Sequence, residues 1–253
     1  PTFNSEEFIE NTLSSIFSQS LSVQELIISD DGSTDKTTLI VEKIFLEYKG
    51  KISCKLLKNI HKGPGAARNS GILSTKSTWL AFIDSDDLWK TNKIQEVFLA
   101  IQANPDVNFL CHNEYRIAIN MKKTIINCSS RFNSSKSIVG QLYKANIIST
   151  SSVVCKRNLL LENSLFDETL MSIQDYELWL RISPYMNILF LDKILGTYIE
   201  RKGNISSTKP LQRFKNEFIV IYKNRHLVSL ILFVFRFLRL SLSHTFQLFR
   251  RLY

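Results

Sequence analysis

A chain of 253 residues with 44% hydrophobic and 22% charged residues can bury a substantial core, and its composition excludes a disordered chain. The net charge of +9 sits at one end: residues 201–253 hold 11 Lys or Arg against a single Glu, so the preceding body is close to neutral. Cys54, Cys111, Cys128 and Cys155 show no C-x-x-C spacing, which speaks for buried reduced thiols in a cytosolic protein and against a zinc site or disulfide framework.

Taken in chain order, Pro1 is not a translation start, so residues are expected before it. Asn4 with Glu7 three residues on fits a capping box, and Ile9, Leu13, Ile16 and Phe17 recur at helical spacing, predicting a helix over 5–20. Glu25 to Asp31 reads as a buried strand ending in acid, followed by a Gly32-Ser33-Thr34-Asp35 turn and a helix carrying Leu39, Ile40 and Ile44. Ile52, Cys54 and Leu56 alternate as a third strand. His61 to Asn69, H-K-G-P-G-A-A-R-N, has Pro64 placed for a first helical turn and lacks both the Walker and the dinucleotide spacings.

Trp79 to Ile83 is an apolar run too short for an ordinary helix, and it ends in Asp84, Asp86 and Asp87. Three like charges at a strand end are costly unless a cation or a set of donors offsets them, and hard oxygen ligands suit Mg²⁺ or Mn²⁺ held together with a diphosphate. The plain alternative for an isolated D-x-D-D is a solvated turn capping the next helix. What changes the balance is that two acid-ended strands each lead into a helix, an alternation that implies a mostly parallel sheet with ligands at its carboxyl edge. Asp30, Asp31, Asp84 and Asp86 then converge on one crevice.

Downstream, Asn92 to Ala103 is helical, Val107 to His112 a strand, Tyr115 to Ile126 a hairpin around Met121-Lys122-Lys123, and Gln141 to Ile147 helical. Ser151 to Cys155, Ile188 to Leu191 and Gly196 to Ile199 read as strands. Gln174 to Arg181 starts a helix in which Asp175 serves as an N-cap, as a general base facing the cleft, or as both.

Together, P-T-F-N at Pro1, I-I-S-D-D-G-S-T-D at Ile27, K-G-P-G-A-A-R-N at Lys62, F-I-D-S-D-D-L-W at Phe82 and Q-D-Y-E-L-W-L-R at Gln174 resemble the family 2 glycosyltransferases over roughly residues 1–200. The resemblance implies the α/β nucleotide-diphospho-sugar transferase (GT-A) fold, Rossmann-like with a mostly parallel sheet flanked by helices, and transfer of a sugar from a nucleotide diphosphate with inversion. Carried over, it puts Thr2, Phe3, Asp30 and Asp31 at the base and ribose of the donor. It puts Arg68 near the nucleotide or its phosphates, Asp84 at the ribose or metal, Asp86 on Mg²⁺ or Mn²⁺, and Asp175 in the role of general base. Trp179, Arg181 and Arg201 fall in the diphosphate or acceptor region, with helix-face packing as the alternative for Trp179 and Arg181, and Arg201 to Ser206 aligns loosely with a family segment there. His61 reads as a loop histidine. The implied organisation is a catalytic domain over 1–210, its donor half about 1–112 and its acceptor half about 113–210, then a tail over 211–253.

In the tail, Arg225, Ser229, Arg236, Arg239, Ser243, Gln247 and Arg250 form one polar stripe opposite Leu227, Ile231, Phe235, Leu238 and Leu242. As a helix, 227–242 is roughly 24 Å long against a bilayer core of about 30 Å. Lying at an anionic membrane surface through 225–251 suits the pattern better than spanning; packing on the catalytic domain, or on a second copy, is the alternative. The continuous apolar face argues against nucleic acid. The expectation is a cytosolic-face, peripheral, metal-dependent inverting transferase using UDP-hexose and a lipid-linked or other membrane-borne saccharide acceptor. A nucleotidyltransferase on a related fold, which releases pyrophosphate, and a non-catalytic basic-tail binding protein are the competing readings.

Overall fold

The computed structural model describes residues 1–48, 50, 52–201 and 210–252, the last nine of these by backbone alone. Helix α1 (Ile9–Phe17) buries Ile9, Leu13 and Ile16, and leads to β1 (Glu25–Asp30). Across α2 (Thr37–Glu47) the chain returns to β2 (Ser53–Lys58), parallel to β1 with Glu25 opposite Ser53 and Asp30 opposite Lys58. Thr2 bridges Asp30 in parallel sense, which brings the first residues to the end of β1. The capping box does not form: α1 starts four residues late, and the Asn4 side chain accepts the Thr34 N–H at 2.9 Å instead.

Gly63, at φ +96°, takes a left-handed conformation that favours glycine and allows a tight entry into α3 (Pro64–Leu73), with Pro64 in the first turn as expected. After β3 (Trp79–Ala81) the acid turn runs into β4 (Leu88–Trp89) and α4 (Lys93–Ala103). Strand β5 (Phe109–Ile117) and β6 (Lys123–Ile126) form the expected hairpin. There follow α5 (Ile138–Lys144), a one-turn 3₁₀ segment at Thr150–Ser152, β7 (Val154–Lys156), α6 (Arg157–Leu161), α7 (Gln174–Ile182) and β8 (Ile188–Ile199). Ile188–Leu191 and Gly196–Ile199 are therefore one strand, whose register against β5 shifts between His112 and Glu114.

The main sheet has the order β3-β7-β5-β8-β4, with β6 on β5. It is mixed where the sequence pattern predicts mostly parallel strands: β5 and β8 are parallel, and its other pairs are antiparallel. The acid turn between β3 and β4 is too short for a parallel crossover, so the chain crosses to the far edge of the sheet.

Trp179 centres the largest core cluster, edge-on to Phe109 at 5.1 Å, Phe166 at 5.8 Å and Phe82 at 6.3 Å. Helices α8 (Pro210–Lys223) and α9 (Leu230–Leu252) contribute Val220, Ile221 and Leu240 to the same cluster, and the Tyr143 hydroxyl donates to the Ile221 carbonyl at 2.6 Å. The change near residue 211 is thus one of composition, not of packing. Cys111, Cys128 and Cys155 are buried free thiols as expected, whereas Cys54 is half-buried because β2 lies open on one face.

Candidate active site

The acids meet where β1 and β3 end. Thr2 bridges Asp30 at the end of β1, Arg68 pairs with Asp84 after β3, and Asp84 in turn lies within electrostatic reach of Asp86, Asp87 and Asp175. The Asp30 carboxylate is taken up by its own turn: it accepts the Gly32 and Ser33 N–H groups at 3.1 and 2.9 Å and the Ser33 hydroxyl at 2.5 Å. Asp31 accepts the Lys62 and Gly63 N–H groups, both at 2.9 Å, and ties β1 to the glycine loop before α3. Both acids are buried and shape the loops of the crevice, a role that the expected ribose contact does not include.

Beside them, Phe3 stacks on His61 at 4.4 Å, and the His61 ring nitrogen lies 2.9 Å from Asp31. Phe3 is 41% exposed, so the pair presents an open flat face next to the buried Thr2 hydroxyl, which has no partner among the described residues. His61 is a loop residue, as expected, and braces Phe3 against Asp31.

Arg68 is the most telling side chain. Only 6% exposed, it donates one NH₂ group to Asp84 at 2.5 Å, while its Nε and second terminal nitrogen have no hydrogen-bond partner among the described residues. A buried guanidinium with unsatisfied N–H groups is costly unless an anion completes it. Asp86 is held at 2.5 Å by Arg201, which also lies over the Phe8 ring. Burial raises the Asp86 pKa above the usual carboxylate range, with Arg201 opposing the rise.

Asp175 is not an N-cap. Ile173, in the left-handed region at φ +53°, occupies that position, and Asp175 turns back so that one carboxylate oxygen accepts the Tyr176 N–H at 2.8 Å and the other the Thr150 hydroxyl at 3.0 Å. Half-buried, its pKa is raised by desolvation and pulled back by Arg68. Desolvation thus makes this carboxylate a stronger proton acceptor than an exposed one.

Trp179 and Arg181 are not brought to the crevice. Trp179 is fully buried because the apolar face of α7 points into the core, and Arg181 pairs with Glu177 at 2.9 Å and donates to the Asn163 and Leu165 carbonyls. Of the Arg201–Ser206 segment, 202–206 lie outside the described residues. The sequence pattern reads Ser151 as strand, whereas it lies in a 3₁₀ turn at Thr150–Ser152; the run of hydroxyls from Ser149 to Ser152 is the sign of it in the sequence.

The description "Glycosyl transferase family 2" matches residues 1–161. The beta-1,3-glucosyltransferase WfgD of Escherichia coli, whose name specifies UDP-Glc and alpha-D-GlcNAc-diphosphoundecaprenol, is 32% identical over 83% of this chain and 78% of its own length. The minor teichoic acid biosynthesis protein GgaA of Bacillus subtilis is 29% identical over 80% of this chain, which spans only 45% of GgaA. Among solved structures, S. aureus TarS 1–349 in complex with UDP-GlcNAc superposes with a TM-score of 0.70 and 25% identity over 88% of this chain and 64% of TarS 1–349. A mannosyltransferase of Pyrobaculum calidifontis shares the fold at a TM-score of 0.67 and 17% identity, over 89% of this chain and 62% of its own. With the family's description matching residues 1–161, more than half of the chain, this chain belongs to glycosyltransferase family 2, with the GT-A fold of a nucleotide-sugar transferase.

Proposed function

We propose that the chain transfers a hexose from a UDP-sugar, with inversion, to a hydroxyl of a lipid-linked saccharide, and that Asp175 is the general base. The observation that carries this reading is the arrangement around Arg68: a buried cation with unsatisfied N–H groups, between the acids after β3 and the carboxylate on α7. A diphosphate satisfies those N–H groups, and Phe3, Thr2 and the loops shaped by Asp30 and Asp31 receive the base and ribose. Asp175 then takes the acceptor proton as the acceptor oxygen attacks the anomeric carbon opposite the departing diphosphate. A single displacement needs no covalent nucleophile.

Among the described residues no group of three His, Cys, Asp or Glu side chains could hold a metal. Asp84 and Asp86 are each neutralised by an arginine, so they fit an ion that arrives with the diphosphate and not a resident one. Asp86, with Asp84 beside it, would hold Mg²⁺ or Mn²⁺ brought in with the diphosphate, and the ion would neutralise charge on the leaving group. Asp86→Ala is expected to lower metal-dependent turnover by about 10²-fold, measured as UDP release and sugar incorporation from a panel of UDP- and GDP-sugars onto a polyprenyl-diphosphate-linked sugar, with and without EDTA. Full activity in Asp86→Ala, or pyrophosphate as the product, overturns the reading.

A membrane-borne acceptor also accounts for the tail. None of the helices among the described residues is long and apolar enough to cross a membrane. In α9, Arg236 departs from the predicted outer polar stripe: it is buried, pairs with Glu217 at 2.9 Å and donates to the Tyr143 carbonyl. The outer face instead shows Ile231 82%, Leu242 71% and Leu238 53% exposed, with Arg225 and Arg239 exposed nearby. An apolar face in a strongly basic segment fits the interface of an anionic bilayer. Flotation with phosphatidylglycerol vesicles is expected for the protein and lost in Ile231→Glu/Leu238→Glu; equal flotation of the variant, or a dimer that this variant dissolves, overturns the membrane role. On this reading residues 1–210 are the catalytic domain, with donor and acceptor halves meeting near residue 112, and 211–253 a tail whose inner face completes the core and whose outer face meets the membrane.

A further inference from the structure

The turn at Thr150–Ser152 carries no charge, yet it touches both sides of the crevice. Its three residues are at most 4% exposed. The Thr150 hydroxyl donates to Asp175 at 3.0 Å. Next to it, the Ser151 hydroxyl accepts the Asp84 N–H at 3.0 Å and donates to Asp87 at 2.5 Å. The Ser151 carbonyl accepts from the Lys93 ammonium at 2.9 Å, and the same ammonium lies 4.0 Å from the centre of the Trp89 ring. The second Asp87 oxygen accepts the Ile199 N–H at 3.0 Å, two residues before Arg201, the partner of Asp86.

Lys93 is fully buried, and a lysine in such a place is costly unless its charge is compensated. Its compensation comes from Asp87 and Glu114: burial lowers the Lys93 pKa while these two carboxylates hold it up. The direct contacts of the ammonium are the Ser151 carbonyl and the Trp89 ring, so Lys93 is seated against the turn itself while the two carboxylates act on it across space.

We propose that Thr150–Ser151 is a positioning turn that sets the placement of Asp175 relative to the diphosphate acids, with Lys93 and Asp87 as its buried pins. Thr150 orients the base and Ser151 holds the backbone of Asp84, so one short segment couples proton acceptance on one side to donor seating on the other. The inference rests on Asp175 being the base. The charged groups that face Asp175 are Arg68 on α3 and Asp84 after β3, and neither changes in the variants below.

The test is the pH profile of sugar transfer in Thr150→Val and Thr150→Ser. The lost hydrogen bond favours the ionised carboxylate, so in Thr150→Val the Asp175 pKa rises, the base is deprotonated only at higher pH, and the acid limb moves upward. The transfer kcat at neutral pH is expected to fall about tenfold, with the donor KM unchanged, and Thr150→Ser is expected to restore both limb and rate. Lys93→Met, similar in length, is expected to impair donor KM and transfer together because Ser151 loses its seat as well. Wild-type kcat and an unmoved acid limb in Thr150→Val overturn the proposal, as does a loss that Thr150→Ser leaves unrepaired or a Lys93→Met enzyme with wild-type constants. Normal transfer by Asp175→Asn removes the base assignment itself and is read independently of the Thr150 pair.

Discussion

Asp175→Asn is expected to lower the rate of sugar transfer by about 10²–10⁴-fold, the range that a positioned general base supplies, while UDP binding stays unchanged. The substitution keeps the shape of the side chain: its one amide oxygen can accept the Tyr176 N–H, and its NH₂ can donate to the Thr150 hydroxyl in place of the bond that the second carboxylate oxygen accepts, so the turn and the start of α7 are retained. What disappears is the ability to take a proton. The separation of effects follows from placement: Asp175 sits on α7, whereas Phe3, Thr2 and the loop before α3 form the open face offered to the nucleotide. Isothermal titration with UDP together with transfer kinetics reads both quantities on one preparation. Loss of UDP affinity in step with transfer assigns Asp175 to donor binding, and unchanged transfer removes it from the reaction.

The order of elements was legible from the sequence wherever local chemistry decides. Pro64 marks its helix because its fixed φ suits a first turn, and Glu25–Asp30 is recognisable because branched apolar residues end abruptly in acid. Asp84 and Asp86 stand out because charge at a strand end is visible in one dimension, whereas Arg68, inside α3, and Asp175 are singled out by the family resemblance. The strand directions of the main sheet were not legible, because β7 and β8 join it from far along the chain and pair by tertiary packing. Arg236 shows the same limit: helical spacing puts it on a polar stripe, but Glu217 and the Tyr143 carbonyl draw it inward and leave leucines outside. Trp179 reads as a site residue because i, i+4 spacing puts it on nearly the same face of α7 as Asp175, yet it lies a full turn further along the helix, where Phe109 and Phe166 pack against it. Uncharged residues at the centre of a network, Thr150 and Ser151 above all, carry their meaning only in three dimensions.

Arg68→Met is expected to lower kcat/KM for the UDP-sugar by about 10²–10³-fold, the cost of removing a preorganised group aimed at developing negative charge, and to weaken UDP binding with it. Methionine replaces much of the buried volume beside Phe166, so the loss reports on the guanidinium more than on packing. Two effects separate this variant from Thr150→Val. Donor affinity falls here because the unsatisfied N–H groups are the ones assigned to the diphosphate. In addition, Arg68 pulls the Asp175 pKa down against the desolvation that raises it, so without Arg68 the carboxylate holds its proton to higher pH and the acid limb of transfer moves upward. Arg68→Lys keeps a charge but loses the planar fork that serves Asp84 and a phosphate oxygen together. It is therefore expected to recover the position of the limb before it recovers donor affinity. A Met variant that binds UDP like the wild type, with its acid limb in place, shows that the guanidinium serves only to anchor Asp84 and that the diphosphate seats elsewhere. Retained affinity with a shifted limb leaves Arg68 acting on the base alone.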